Sequence, residues 1–255
     1  MWGVPTGARR GSAAARSHRS TMHVRMGSMS PSYFQNKKLL AFSDAGDWKG
    51  MLTFAVKNRE KFNDTNWSTL LGRLGRFGGE STLIKNNETL KFLVVQFESK
   101  IKLEGLEWMS VRNIANTEHG FGVMGVTSKL LFDSVENVAD RITRDGRPQE
   151  ISNIAYACAK LGEKRTKHFD EVNRRSGTEK IVRHGKPQEI ANTVWAMATL
   201  GHKAEFLAGV LNREDFAAWF VEEISTQDIS NKIWAMAALD LTGPRCEVIG
   251  WVHQS

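Results

Sequence analysis

Cysteine is almost absent from this 255-residue sequence: Cys158 and Cys246 are the only two. Neither has a second Cys or a His at metal-ligand spacing, and two thiols build no disulfide framework. Cys158 falls in an apolar helical stretch and reads as a small core residue of a protein in a reducing compartment. Long apolar runs are missing too. None approaches the ~18 residues of a membrane helix, so no membrane insertion is expected. The seven histidines form no metal-spaced cluster. No nucleophile–base pair or carboxylate pair stands out either, so neither a metal, a cofactor nor catalysis is expected.

Acidic residues are missing from the first 43 positions, which hold Arg9, Arg10, Arg16, Arg19, Arg25, Lys37 and Lys38. Arg- and Ser-rich, acid-poor composition is that of an organellar transit peptide, and the apolar core of a secretory signal is lacking. The competing reading for 1–43 is a disordered basic tail. Setting those 7 bases aside from the 35 Lys and Arg leaves 28, against 28 Asp and Glu. The body of the chain is electrically balanced, so its overall charge argues for no polyanion partner. Any RNA affinity has to come from local patches or from side-chain recognition.

What the sequence does contain is an internal repeat. Pro148-Gln-Glu-Ile-Ser-Asn-Ile-Ala-Tyr-Ala-Cys-Ala-Lys-Leu-Gly162 returns 39 residues later as Pro187-Gln-Glu-Ile-Ala-Asn-Thr-Val-Trp-Ala-Met-Ala-Thr-Leu-Gly201. A third copy, Thr226-Gln-Asp-Ile-Ser-Asn-Lys-Ile-Trp-Ala-Met-Ala-Ala-Leu-Asp240, follows at the same offset. A weaker copy 37 residues upstream keeps Ile114, Asn116, Gly120, Gly122, Met124 and Gly125 in register. A more degenerate one covers Phe62 to Gly75, with Asn66, Leu74 and Gly75 in place.

Each copy reads as a helix. Pro148 and Pro187 suit the first helical position, and Glu150 and Glu189 favour the helix dipole two residues on. Gly162 and Gly201 suit left-handed caps. Ile190, Val194 and Met197 form an apolar stripe, and Leu200 and Trp195 put apolar surface on further faces, so the helix needs cover on several sides. Second amphipathic segments lie between the copies, at 128–144, roughly 167–183, and 205–223. One of these is expected to break at Ser176-Gly177. The fold expected over 44–255 is therefore all-α: an α-α superhelix, or solenoid, of 39-residue hairpins. Small residues at 157/159, 196/198 and 235/237 would let neighbouring helices approach closely.

The core Asn-x-x-Trp-Ala-x-Ala-x-Leu-Gly resembles the repeats of organellar RNA-binding proteins. These are the octotricopeptide and heptatricopeptide repeat proteins and the FAST-kinase-like leucine-rich, RAP-associated family. The segment 62–75 is similar to a degenerate repeat often found near the start of such arrays. The resemblance implies a surface lined by the first helices that holds single-stranded RNA. It further implies a role in mitochondrial or plastid RNA processing, mRNA stability or translation, or in a ribonucleoprotein. Kinase activity is not implied, since no Walker-type loop and no kinase signature is present. No partner helix and no RAP domain follow the last copy, so a short array truncated at its C-terminus is expected. A HEAT- or armadillo-like scaffold for proteins is the alternative, to be told apart by an apolar or mixed face in place of a basic or amide-rich one.

The recurring Asn116, Asn153, Asn192 and Asn231 are candidate RNA-binding residues. Asn is a poor mid-helix residue, so its return calls for a reason: either a hydrogen bond that fixes the stacking or an amide that pairs with a base. Positions that vary between copies are candidates for base discrimination: Ile154, Thr193 and Lys232 at one, Lys160, Thr199 and Ala238 at the other. Tyr156, Trp195 and Trp234 share a position that reads as core, with base stacking as the alternative. Basic residues from Lys160 to Arg183, among them Arg165, Arg174, Arg175 and Lys180, are candidate phosphate contacts or a solvated face. His119-Gly-Phe-Gly-Val123 and the Gly-rich segment 72–79 sit in helical register and mark no strand-based motif.

Overall fold

The computed structural model describes residues 30–211, and every regular element among them is helical. In chain order these are α1 (Pro31–Asp44), α2 (Trp48–Asn58), α3 (Asp64–Leu74), α4 (Ser81–Lys85), α5 (Glu88–Glu104) and α6 (Val111–Met124). There follow α7 (Lys129–Asn137), α8 (Ala139–Asp145), α9 (Pro148–Leu161), α10 (Thr166–Asn173), α11 (Arg175–His184), α12 (Pro187–Leu200) and α13 (Glu205–Leu211). Two short 3-10 turns, Arg59–Lys61 and Gly78–Glu80, complete the set. The third sequence copy, with Asn231, Lys232 and Trp234, lies outside the described residues, as does Cys246.

The basic N-terminal stretch ends earlier than its composition implied. Lack of acid does not preclude a helix: α1 begins at Pro31 and buries Leu39 and Gln35 against its neighbours. The expected boundary at 43 is corrected on this ground.

The sequence copies are α3, α6, α9 and α12, and each packs along the next, with α1 against α3. The remaining helices form a second row. There α2 meets α5, α5 meets α7, α7 and α8 meet α10, and α10 and α11 meet α13. One apolar core runs between the rows, drawing Leu70, Phe121, Ile154 and Val194 from the first and Phe97, Phe132 and Phe169 from the second. Cys158 is buried in it, and burial pushes its thiol up to about 12.

Local chemistry sets the ends of the first-row helices. Pro148 and Pro187 occupy the first turn. Glu150 accepts from the Arg147 N–H at 2.7 Å and Glu189 from the Lys186 N–H at 2.9 Å, satisfying donors outside the helical ladder. At the other end Gly125, Gly162 and Gly201 take φ of 67°, 71° and 70°. Their N–H groups and those of the next residues close back on the last turn, as from Gly162 to Ala159 and from Glu163 to Cys158.

Small residues bring these helices together as expected. A Cβ on Gly120 would lie 2.3 Å from the Leu71 carbonyl oxygen, and one on Gly122 2.7 Å from the Ala157 Cα. The second row departs from expectation. The segments expected at 128–144 and 167–183 are both broken, one at Val138 and one at Arg174, and the backbone turns extended at Arg174 alone. The break expected at Ser176-Gly177 falls two residues early. Gly177 lies inside α11, where a Cβ would meet the Glu171 carbonyl at 2.2 Å; it lets α11 fold back on α10.

Candidate nucleic-acid face

The first-row helices share an open face, and the sequence register predicts what lines it. Asn116, Asn153 and Asn192 stand on it half-buried, in one row across α6, α9 and α12. One turn further on, His119, Tyr156 and Trp195 form a second row, also half-buried. Their rings adjoin: His119 stacks on Tyr156 at 5.5 Å between centroids, and Tyr156 meets Trp195 at 5.7 Å. Burial lowers the pKa of His119, which keeps the ring neutral at pH 7 and apt for stacking. A third row holds Val123, Lys160 and Thr199. Lys160 is exposed, its Nζ 6.0 Å over the Tyr156 ring, and Thr199 is exposed with its hydroxyl donating to the Trp195 carbonyl.

Where α1, α3, α6 and α9 meet, this face deepens into a groove of about 780 Å³. Asn116 and His119 line it together with Arg73, Arg76 and Arg112. Among the described residues the only carboxylate on its wall is Glu150, which is held by Arg147. Arg73 reaches Asp44 only at 4.0 Å. The groove therefore presents guanidinium, amide and hydroxyl groups within a chain whose body is otherwise balanced.

The three asparagines differ from their neighbours in having no use inside the fold. Asn66, in register on α3, is fully buried and donates to the Ser32 carbonyl of α1 at 2.9 Å. Asn113 donates to Asp64 at 2.7 Å. No partner among the described residues reaches the amides of Asn116, Asn153 or Asn192, so the recurring asparagine ties one helix to the next only at Asn66 among these four.

Several candidates are corrected. Thr193 is fully buried and its hydroxyl donates to the Glu189 carbonyl at 2.8 Å; Thr117 and Ile154 are fully buried at the same register. That position faces the neighbouring helix and cannot touch a ligand. Within the basic cluster between 160 and 183, Arg165 and Lys180 are engaged inside the fold, and Arg174 and Arg175 pair at its surface. Arg165 is buried, its Nη1 donating to Glu118 Oε2 at 2.9 Å and its Nη2 2.7 Å from Oε1, over the Phe132 ring. Lys180 donates to the carbonyls of Thr143, Arg144 and Gly146, and Arg174 and Arg175 pair with Glu171 and Glu179. The arginines that do line the groove, Arg73, Arg76 and Arg112, escaped sequence reasoning; extending the repeat register back to α3 would have found Arg73, at the Lys160 position. Comparison with known proteins gives no matching family model and no matching curated relative.

Proposed function

We propose that the chain is an RNA-binding α-α superhelix of helical hairpins, holding single-stranded RNA along the shared face of α3, α6, α9 and α12. The observation that carries the reading is the pair of parallel rows on that face: unpartnered amides at Asn116, Asn153 and Asn192 beside rings at His119, Tyr156 and Trp195. An amide offers a donor and an acceptor to a base edge, and aromatic faces stack on bases of any kind at ~1–3 kcal/mol each. Arg73, Arg76 and Arg112 would meet phosphates at the deep end, and Lys160 midway along. In the sequence Asn231 stands in the register of Asn192, and Lys232 in that of Thr193. A scaffold for protein partners would present an apolar or mixed face; three arginines beside the amides of Asn113 and Asn116 favour the RNA reading. Action in a mitochondrion or plastid, on RNA processing or mRNA stability, rests on the N-terminal composition and the family resemblance.

The test is the double substitution Asn153→Ala, Asn192→Ala, with affinity read by fluorescence anisotropy on a random single-stranded RNA pool. The account expects a loss of affinity of about 30-fold or more with an almost unchanged melting temperature, since each of the two amide–base contacts is worth ~1–3 kcal/mol. A lowered melting temperature with unaltered affinity would assign the asparagines to the fold and remove them from the site.

A further inference from the structure

Helix α5 carries a feature that the RNA face leaves unused. Its outward side shows Phe92 at 40%, Val95 at 54% and Leu103 at 84% exposure, with the Arg59 guanidinium 5.2 Å from the centre of the Phe92 ring. The inter-helix caps fix the comparison. Glu98 on α5 meets Ser128 at the start of α7 at 2.5 Å, and Glu136 on α7 accepts from the Lys167 N–H at the start of α10 at 2.6 Å. Asn173 on α10 accepts in turn from the Phe206 N–H of α13. Counting three residues back from each cap places Val95 level with Asp133 on α7 and Asp170 on α10, both exposed. At the Val95 position α5 carries an apolar residue where α7 and α10 carry carboxylates, although exposed apolar surface recurs in the row at Phe206 of α13.

The charges that flank the stripe identify what covers it. Exposed Glu88 and Lys102 lie seven residues to either side of Val95 and carry opposite signs. A helix of this kind is complementary to itself when run antiparallel. With Val95 on the two-fold axis, each Glu88 faces the Lys102 of the other copy, and each Phe92 falls beside the small Ser99. Two-turn spacing from Phe92 to Ser99, with Val95 between, is that of a helix–helix seam. An isologous contact of this sort closes on itself and stops at two copies.

We infer that the outer face of α5 is a homodimer interface, in which a second copy of this chain docks antiparallel through Phe92, Val95 and Leu103. The seam runs along 17 residues, about 25 Å. One helix pair is at the small end of specific interfaces, so the dimer forms in the micromolar range and is concentration dependent. It leaves the face of α6, α9 and α12 open, since α5 belongs to the other row, and it stands or falls independently of RNA binding.

Sedimentation equilibrium of the full chain, without RNA, tests it. The expected result is a mass rising from 28.6 kDa toward twice that value as concentration goes from about 1 to 100 μM. Val95→Asp, which installs the residue found at this register on α7 and α10, should leave a monomer throughout, with an unchanged melting temperature. Lys102→Glu should weaken association at least several-fold, and Glu88→Lys with Lys102→Glu should restore it. A wild-type chain that stays monomeric at 100 μM overturns the inference, because some other segment or partner then covers the stripe. A dimer that survives Val95→Asp overturns it equally.

Discussion

Single residues carry the close contacts on which this molecule depends. Gly120 packs against the Leu71 carbonyl and the Gly72 Cα, atoms that cannot swing aside as a side-chain tip can. Gly120→Ala should therefore cost about 2 kcal/mol, read as a shift in the urea midpoint; a neutral result would mean that α3 and α6 are free to separate. The Glu118–Arg165 pair is a second such point, with both side chains out of water. Glu118→Gln leaves the guanidinium buried without its counter-charge and should cost ~3–5 kcal/mol. His168 sets the response to pH. Burial and the neighbouring Arg165 lower its pKa to about 3, and burial lowers His119 and His202 as well. The unfolded chain binds these protons near pH 6.5 while the folded one does not, so the unfolded state gains protons first as pH falls. Stability is full above about pH 6.5 and declines toward pH 3, by about 1.4 kcal/mol per pH unit for His168 over the window between its two pKa values. His168→Gln should flatten that limb in urea titrations from pH 7 to 4; an unchanged slope would place the linkage elsewhere.

At the level of helices, the second row is held by contacts that recur with the repeat. Arg141 donates to the Leu106 and Met109 carbonyls, and Lys180, 39 positions on, does the same for Thr143 and Gly146 at 2.8 and 3.1 Å. Each thus ties the end of one hairpin to the next. Lys180→Met keeps the apolar stem and removes the donor; it should cost about 1–2 kcal/mol, with amide exchange rising first across 143–146. The first-row helices were legible because their ends are written in residue types with one local meaning: proline at 148 and 187, glycine in the left-handed region at 162 and 201. The break at Arg174 was legible to within two residues through Gly177, whereas the one at Val138 was not, since no glycine or proline marks it. The same holds for charge. Lys180 and Arg165 look in sequence like the free Lys160, and only the neighbouring hairpin decides that two of them are spent on carbonyls and on Glu118 while the third stays in water. The site was legible as a register, from the recurring asparagine and aromatic positions, but the direction in which Thr193 points depends on helix rotation within the stack.

For the whole molecule, balanced charge makes a quantitative statement about RNA. Four bases, Arg73, Arg76, Arg112 and Lys160, face the proposed path. The slope of log affinity against log salt should be shallow, about −3 for a single strand, in contrast to the steep loss shown by proteins that bind through charge alone. Most of the affinity then resides in amide and ring contacts and persists as salt rises. The claim on which all of this turns is that the RNA lies on the first-row face. Photo-crosslinking of the purified chain to single-stranded RNA, followed by mapping of the linked peptides, addresses it directly. The account predicts links within 111–124, 148–161 and 187–200, with Tyr156 and Trp195 among the modified residues. Links confined to α5, α7 and α10, or no RNA retained at all, would contradict it.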